Sequence, residues 1–313
     1  MAESSEEKPY RVLTLDGGGA KGFYTLGALR EIEGLVDMRL CEKFDLIFGT
    51  STGAIIAAML ALGHSVDEIH DLYKKHVITV MACESAAEKT AALKTLAEDV
   101  FKKQTFEDVK TGIGIVTTKW INDRPMVFKG SKAQAHGRHG TFKPGFGCTI
   151  AQAVQASCSA YPFFEKMTVK TALGDFELID GGFCANNPTL YALADVTGPL
   201  GKAHADVRVV SVGVGEYPPK PLKRFSKMWV AQKYDPQSVE LMQKVMEINT
   251  QSMDQLRAIM FKNVPTIRIN DSFPEPHMAT DLFEHDMKKL NDLFIRGRES
   301  YAKEEPNLKS FLC

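Results

Sequence analysis

The 313 residues are 44% hydrophobic and 25% charged, the composition of an ordinary globular chain long enough for one large α/β domain with insertions or two smaller ones. Lys and Arg number 38 against 39 Asp and Glu, and a net charge of −1 gives no global attraction to nucleic acid or anionic lipid. No DNA or RNA binding is expected, and any anion must be met by a local patch.

The six cysteines, Cys41, Cys83, Cys148, Cys158, Cys184 and Cys313, show no zinc-site spacing, and free thiols are the simplest reading. Met1 to Lys8 is polar and acidic, without the apolar core of a secretory signal. The longest apolar run, Ala54 to Leu62, falls far short of the ~20 residues that span a bilayer. The expectation is a cytosolic protein that reaches a membrane, at its inner face, only from the surface.

Arg11 to Leu15 has the pattern of a short buried strand, followed by Asp16-Gly17-Gly18-Gly19-Ala20-Lys21-Gly22 and a helical pattern from Tyr24 to Glu33. Phe44 to Phe48 is a second apolar strand, leading through Gly49-Thr50-Ser51-Thr52-Gly53 into the helix-like Ala54 to Leu60. Such alternation predicts a largely parallel sheet covered by helices, with reactive groups beyond the carboxyl ends of the strands. A serine between glycines at a strand-to-helix reversal can adopt the elbow that exposes its hydroxyl, which makes Ser51 the candidate nucleophile, although a helix-capping serine has the same local pattern.

A helix with Leu93, Leu96, Val100 and Phe101 on its apolar face comes next, then two strands within Ile113 to Phe128 around Asn122-Asp123-Arg124-Pro125. Lys129 to Gly147 is glycine-rich and basic with no carboxylate, and reads as a loop. Thr149 to Ser157 predicts a helix broken by Pro162. Phe176 to Ile179 predicts a strand ending at Asp180-Gly181-Gly182, Asn187-Pro188 a cap and first turn for a helix through Ala194, and Val207 to Val214 another strand.

An ester carbonyl attacked by Ser51 would need preorganised donors for its developing charge, and the consecutive Gly17, Gly18 and Gly19 can offer backbone N–H groups to one anion. The same glycines satisfy GxGxxG, and Asp37 stands 20 residues after Gly17, as in a dinucleotide site. That site would put the acid at the tip of a second strand, whereas Glu33 to Asp37 reads as a helix end and turn. For the base, Asp180 at a strand end is the candidate. The histidines after it, His204, His277 and His285, lie in polar settings without that context.

Four motifs in order, Asp16 to Gly22, Gly49 to Gly53, Ala156-Ser157-Cys158-Ser159-Ala160-Tyr161-Pro162-Phe163-Phe164, and Asp180-Gly181-Gly182 with Asn186-Asn187-Pro188, resemble the patatin-like phospholipases over about Tyr10 to Gly215. The resemblance implies a three-layer α/β/α fold and a catalytic core over residues 10–215; residues 216–313, which it does not cover, are expected to be a helical part packed on the same domain. It further implies a Ser51–Asp180 dyad without histidine, neither metal nor cofactor, an oxyanion hole at Gly17 to Gly19, and Ala156 to Phe164 beside the site. Lys21 would stand at an often basic position, meeting a lipid phosphate or only solvent. The expected activity is cleavage of phospholipid carboxyl esters to fatty acid and lysolipid. An acyltransferase on the same dyad and a storage or binding protein of the same fold are the alternatives.

The wording of Asp180 to Pro188 and of Arg124-Pro125-Met126-Val127-Phe128-Lys129 is most similar, within the family, to bacterial effectors of anti-phage signalling that a cyclic oligonucleotide switches on. If such an anion binds, Lys129, Lys132, His136, Arg138, His139 and Lys143 form the most suitable patch, which a solvated basic loop or a headgroup-binding surface would equally explain. Val239, Met242, Met246, Asn249, Met253, Leu256 and Met260 recur at helical spacing. They suggest either a homo-oligomer seam with Asn249 fixing register or, the favoured reading, a helix packed on its own domain with Val245, Ile248 and Ile259 widening the buried face.

Overall fold

The computed structural model describes residues 8–137, 139–220 and 236–313, the backbone alone for 236–239. Eight strands form one sheet: β1 (Tyr10–Leu15), β2 (Leu46–Thr50), β3 (Gly112–Lys119), β4 (Arg124–Lys129), β5 (Met167–Thr171), β6 (Gly174–Asp180), β7 (Val207–Val212) and β8 (Thr266–Ile269). Their order is β5-β6-β3-β2-β1-β7-β8, with β4 also paired to β3. The block β3-β2-β1-β7-β8 is parallel, while β4, β6 and β5 join antiparallel.

Alternation along the parallel strands sorts two apolar layers. Leu13, Leu15, Ile47, Ile113 and Ile115 face the large cluster built on the helices Gly22–Val36, Thr52–Leu62, Ile150–Ser157 and Met287–Leu312. Val12, Leu46, Phe48, Val116, Val207 and Val209 face Ala192, Leu193 and Val196 of the helix Thr189–Thr197. The result is the expected α/β/α sandwich.

Three expectations change. The segment after residue 215 is not wholly helical, because Thr266–Ile269 lengthens the sheet beside β7; four residues of alternating character are too few to announce a strand. Lys129 to Gly147 is not one loop: β4 runs to Lys129, and short 3-10 turns follow at Lys132–Gln134, His139–Thr141 and Pro144–Gly147.

In the helix Pro236–Met260 the buried face holds Met246 and Thr250, whereas Val245, Ile248 and Ile259 are exposed together with Leu241 and Met260. Asn249 serves no seam: its Oδ1 accepts from the Asn186 N–H at 2.9 Å and its Nδ2 donates to the Cys184 carbonyl at 3.2 Å, tying the helix to its own domain. The side chain of Val239 lies outside the described residues.

Candidate active site

β2 enters the helix Thr52–Leu62 through Ser51, whose φ of 52° and ψ of −124° are strained for a residue with a Cβ. The turn closes only because its flanks are glycines. A Cβ on Gly49 would stand 2.3 Å from the Gly53 carbonyl oxygen, and one on Gly53 would stand 2.3 Å from the Leu15 carbonyl oxygen. The elbow predicted from the pentapeptide is therefore present, and no side-chain cap bond accounts for Ser51.

The approach of Asp180 follows from strand direction. β4 occupies one edge of β3 over Gly114–Lys119, β2 the other edge up to Thr50 opposite Val116, and β6 continues that second edge with Asp180 opposite Thr117. β2 and β6 run toward each other and their carboxyl ends meet. Ser51 Oγ donates to Asp180 Oδ2 at 2.6 Å. The rule that reactive groups lie beyond the ends of parallel strands located Ser51 and the glycine loop, but Asp180 arrives on a strand of opposite direction.

The carboxyl of Asp180 is 1% exposed, and burial pushes its pKa up to about 7 against the opposing effect of the bonds from Ser51 and from the Gly182 N–H, which donates to Oδ1 at 2.6 Å. Gly181 backs the Val116 carbonyl. Thr118 Oγ1 donates to the Asp180 carbonyl at 3.0 Å. A carboxyl so placed is poised to exchange a proton near neutral pH.

The triple-glycine loop divides its work. The Gly17 N–H is already spent on the Asn186 carbonyl at 3.0 Å, so Gly17 is a clamp point and not an oxyanion donor as expected. Gly18 and Gly19 line the pocket with Ser51 and Asp180. Gly22 opens the following helix against Thr52, and Asp16 is gripped by Arg268, which donates to Oδ1 at 3.0 Å and Oδ2 at 2.6 Å and also to Ser211 Oγ at 2.9 Å. Lys21 is neither solvated nor in the pocket. It is 3% exposed and turned to Glu247 at 3.6 Å, and burial lowers its pKa. Asp37 caps the helix Gly22–Val36 in a left-handed turn, so the second strand of a dinucleotide site is not there.

Ala156 to Phe164 pins both halves of the pair. Ser157 Oγ accepts from the Ser51 N–H at 2.9 Å and donates to the Val116 carbonyl at 2.7 Å, while the Ser159 carbonyl accepts the Asp180 N–H at 2.9 Å. The motifs placed Ser157 and Asn186 near the site without saying what each would hold, and Arg268 had no local signal. Cys158 also lines the pocket, but burial raises its thiol well above the usual range, so it is no rival nucleophile. Apart from Thr52 and Asn186 the remaining wall is apolar, including Ile55, Val80, Leu96, Phe164 and Met246, and no histidine is among the described lining residues. Its volume is ≈ 50 Å³, an apolar slot suited to part of an acyl chain.

Of the residues proposed for an anion, His136 Nε2 meets Asp195 Oδ1 at 2.7 Å and Lys129 meets the same carboxylate, while Lys132, His136, His139 and Lys143 are all exposed. Arg138 lies outside the described residues.

The chain is 60% identical to a cUMP-AMP-activated phospholipase of Escherichia coli, over 100% of this chain and 97% of that protein. It is 28% identical to a cGAMP-activated phospholipase of Vibrio cholerae over 65% of this chain and 63% of that one. Among solved structures, VipD from Legionella pneumophila matches with a TM-score of 0.51 at 15% identity, covering 97% of this chain and 67% of that chain, a likeness of fold. The family model described as Patatin-like phospholipase matches residues 13–193, which hold Ser51, Asp180 and the glycine loop; the chain belongs to the patatin-like phospholipase family, a family of lipid hydrolases.

Proposed function

We propose that the chain hydrolyses the carboxyl esters of membrane phospholipids through Ser51 and Asp180, and that a cyclic dinucleotide activates it. The observation that carries the chemistry is the 2.6 Å bond from Ser51 Oγ to a buried carboxylate beside an apolar slot. Asp180 accepts the Ser51 proton as Oγ bonds to the ester carbon, and the carbonyl oxygen takes up the charge facing Gly18 and Gly19. The intermediate collapses, the C–O bond to the lysolipid breaks, and Asp180 returns the proton to the leaving oxygen. Water then attacks the acyl-enzyme as Asp180 accepts its proton, and Ser51 recovers a proton as the fatty acid departs.

Regulation rests on the relatives: a protein 60% identical along nearly its whole length carries cUMP-AMP activation in its name. Contact with the inner face of the membrane is supported by Leu241, Val245, Ile248 and Ile259, exposed on the helix whose inner side sends Met246 into the slot. Fatty-acid release from mixed liposomes by wild type, Ser51→Ala and Asp180→Asn, with and without a panel of cyclic dinucleotides, tests both halves. Full activity in Ser51→Ala refutes the mechanism, and a wild type indifferent to every nucleotide refutes the regulation alone.

A further inference from the structure

Among the described residues two clefts of similar volume, ≈ 460 and ≈ 450 Å³, accompany the acyl slot; the first adjoins it at Gly18, Asn186, Met246 and Leu282, the second shares no lining residue with it, and their charges are opposite. The first, behind the glycine loop, sets Lys21 among Asp16, Glu216 and Glu247. The second is walled by β4 and the turns after it, the β5–β6 turn and the helix Thr189–Thr197. It gathers Lys119, Lys129, His136 and Lys143, with Asp195 as the one carboxylate among its described lining residues. An anion is repelled by the first and attracted by the second.

The floor of the second cleft is built rather than incidental. Asp195 is 1% exposed and receives Lys129 Nζ, His136 Nε2 at 2.7 Å and Gln134 Nε2 at 3.2 Å; Gln134 also donates to the Ile113 carbonyl at 3.1 Å. One carboxylate thus fixes three donors in place, while Lys119 and Lys143 add positive charge at the walls. Tyr191 and Phe142, both half-buried, supply aromatic surface. Cationic side chains beside aromatic faces suit a ligand that carries both phosphates and bases, and the volume falls within the range of small-molecule sites.

Given the activation reading above, on which the ligand class rests, we infer that this cleft is the cyclic-dinucleotide site. Its lysines face the two phosphodiesters, and Tyr191 and Phe142 face the bases. The cleft also borders the elements that hold the catalytic pair. Ala172 and Leu173 in its wall form the turn that leads into β6, which ends at Asp180, and the helix that carries Tyr191 and Asp195 begins at Thr189, whose Oγ1 is 2.7 Å from that of Thr14, two residues before Asp16. A ligand that moves either wall acts on the base or on the glycine loop through directly bonded elements.

The test is equilibrium binding of cyclic UMP-AMP to wild type, Lys119→Gln, Lys143→Gln and the double variant, with Glu216→Gln of the other cleft as control and thermal unfolding as the check on folding. Each lysine variant should weaken binding roughly tenfold, as expected when one charge-assisted bond is lost. The control should bind like wild type. Double-variant affinity within twofold of wild type overturns the cleft while leaving activation standing. A wild type that neither binds nor responds to any cyclic dinucleotide overturns the activation reading, and the cleft's ligand with it. If the double variant does not fold, Lys143→Gln, at an exposed position, decides by the same twofold criterion.

Discussion

Asn186 holds Gly17 on both sides of its residue: its carbonyl accepts the Gly17 N–H at 3.0 Å, and its Nδ2 donates to the Gly17 carbonyl at 3.1 Å. The same Nδ2 reaches Thr250 Oγ1 at 2.7 Å, so one amide locks the glycine loop to the helix Pro236–Met260. Asn186→Ala keeps the main-chain half of this clamp and loses the rest. The expected result is a 10- to 100-fold lower kcat with nearly unchanged KM on a soluble ester, below the roughly hundredfold or greater loss that accompanies removal of an oxyanion donor itself. Wild-type kcat in that variant would show that the loop holds its shape without the amide.

In the proposed mechanism Asp180 is a base only when ionised, and its carboxyl is pushed up to about 7. Log kcat/KM should therefore rise with pH through about 7 and level off above it. The stability effect has the opposite sign. A carboxyl whose folded pKa exceeds its unfolded value costs stability progressively as pH rises from the unfolded value toward 7, and the full cost persists above it. Asp180→Asn, which removes the proposed base, should unfold at a higher temperature than wild type at pH 8, with little difference near pH 4. Calorimetry at the two pH values decides, and an equal difference at both would count against the raised carboxyl.

Half-buried Arg268 covers the buried Asp16 carboxylate, 252 residues away in sequence. Arg268→Ala strands the Asp16 carboxylate and should cost about 3–5 kcal/mol of stability. Arg268→Lys restores the charge but not the fork, so it should recover part of the melting temperature and less of kcat. Full recovery of kcat by lysine would mean that charge alone, not the two-pronged geometry, positions the loop.

Ser157→Ala leaves the Ser51 N–H and the Val116 carbonyl without the hydroxyl that joins them. Stability should fall by about 1–3 kcal/mol, the cost of a buried group left unpaired, and kcat by roughly tenfold as the elbow loosens. Ser157→Thr, which keeps a hydroxyl, should retain more of both. Steady-state kinetics and denaturant unfolding on the three proteins separate the two effects.

Ser51, Asp180 and the glycine loop were legible because each is a local backbone requirement: glycines mark the places where no Cβ fits, at Gly49 and Gly53 above all. The helix Pro236–Met260 was half legible. Its period is written in the sequence, but Met246 is buried and Ile248 exposed according to which neighbours the fold brings to each side.

The sequence by itself determined the strand-to-helix elbow, the loop of three glycines and the acid at a strand end, since these depend on φ, ψ and space within a few residues. Tertiary structure alone decided that β6 meets β2 head to head on one edge of β3, that Gly17 is a clamp while Gly18 and Gly19 face the slot, and that Arg268 secures Asp16. It also decided that Lys21 turns inward and that Asp195 gathers Lys129, Gln134 and His136. Those outcomes depend on hydrogen bonds and burial between segments distant in the chain, and no local preference encodes which partners will meet.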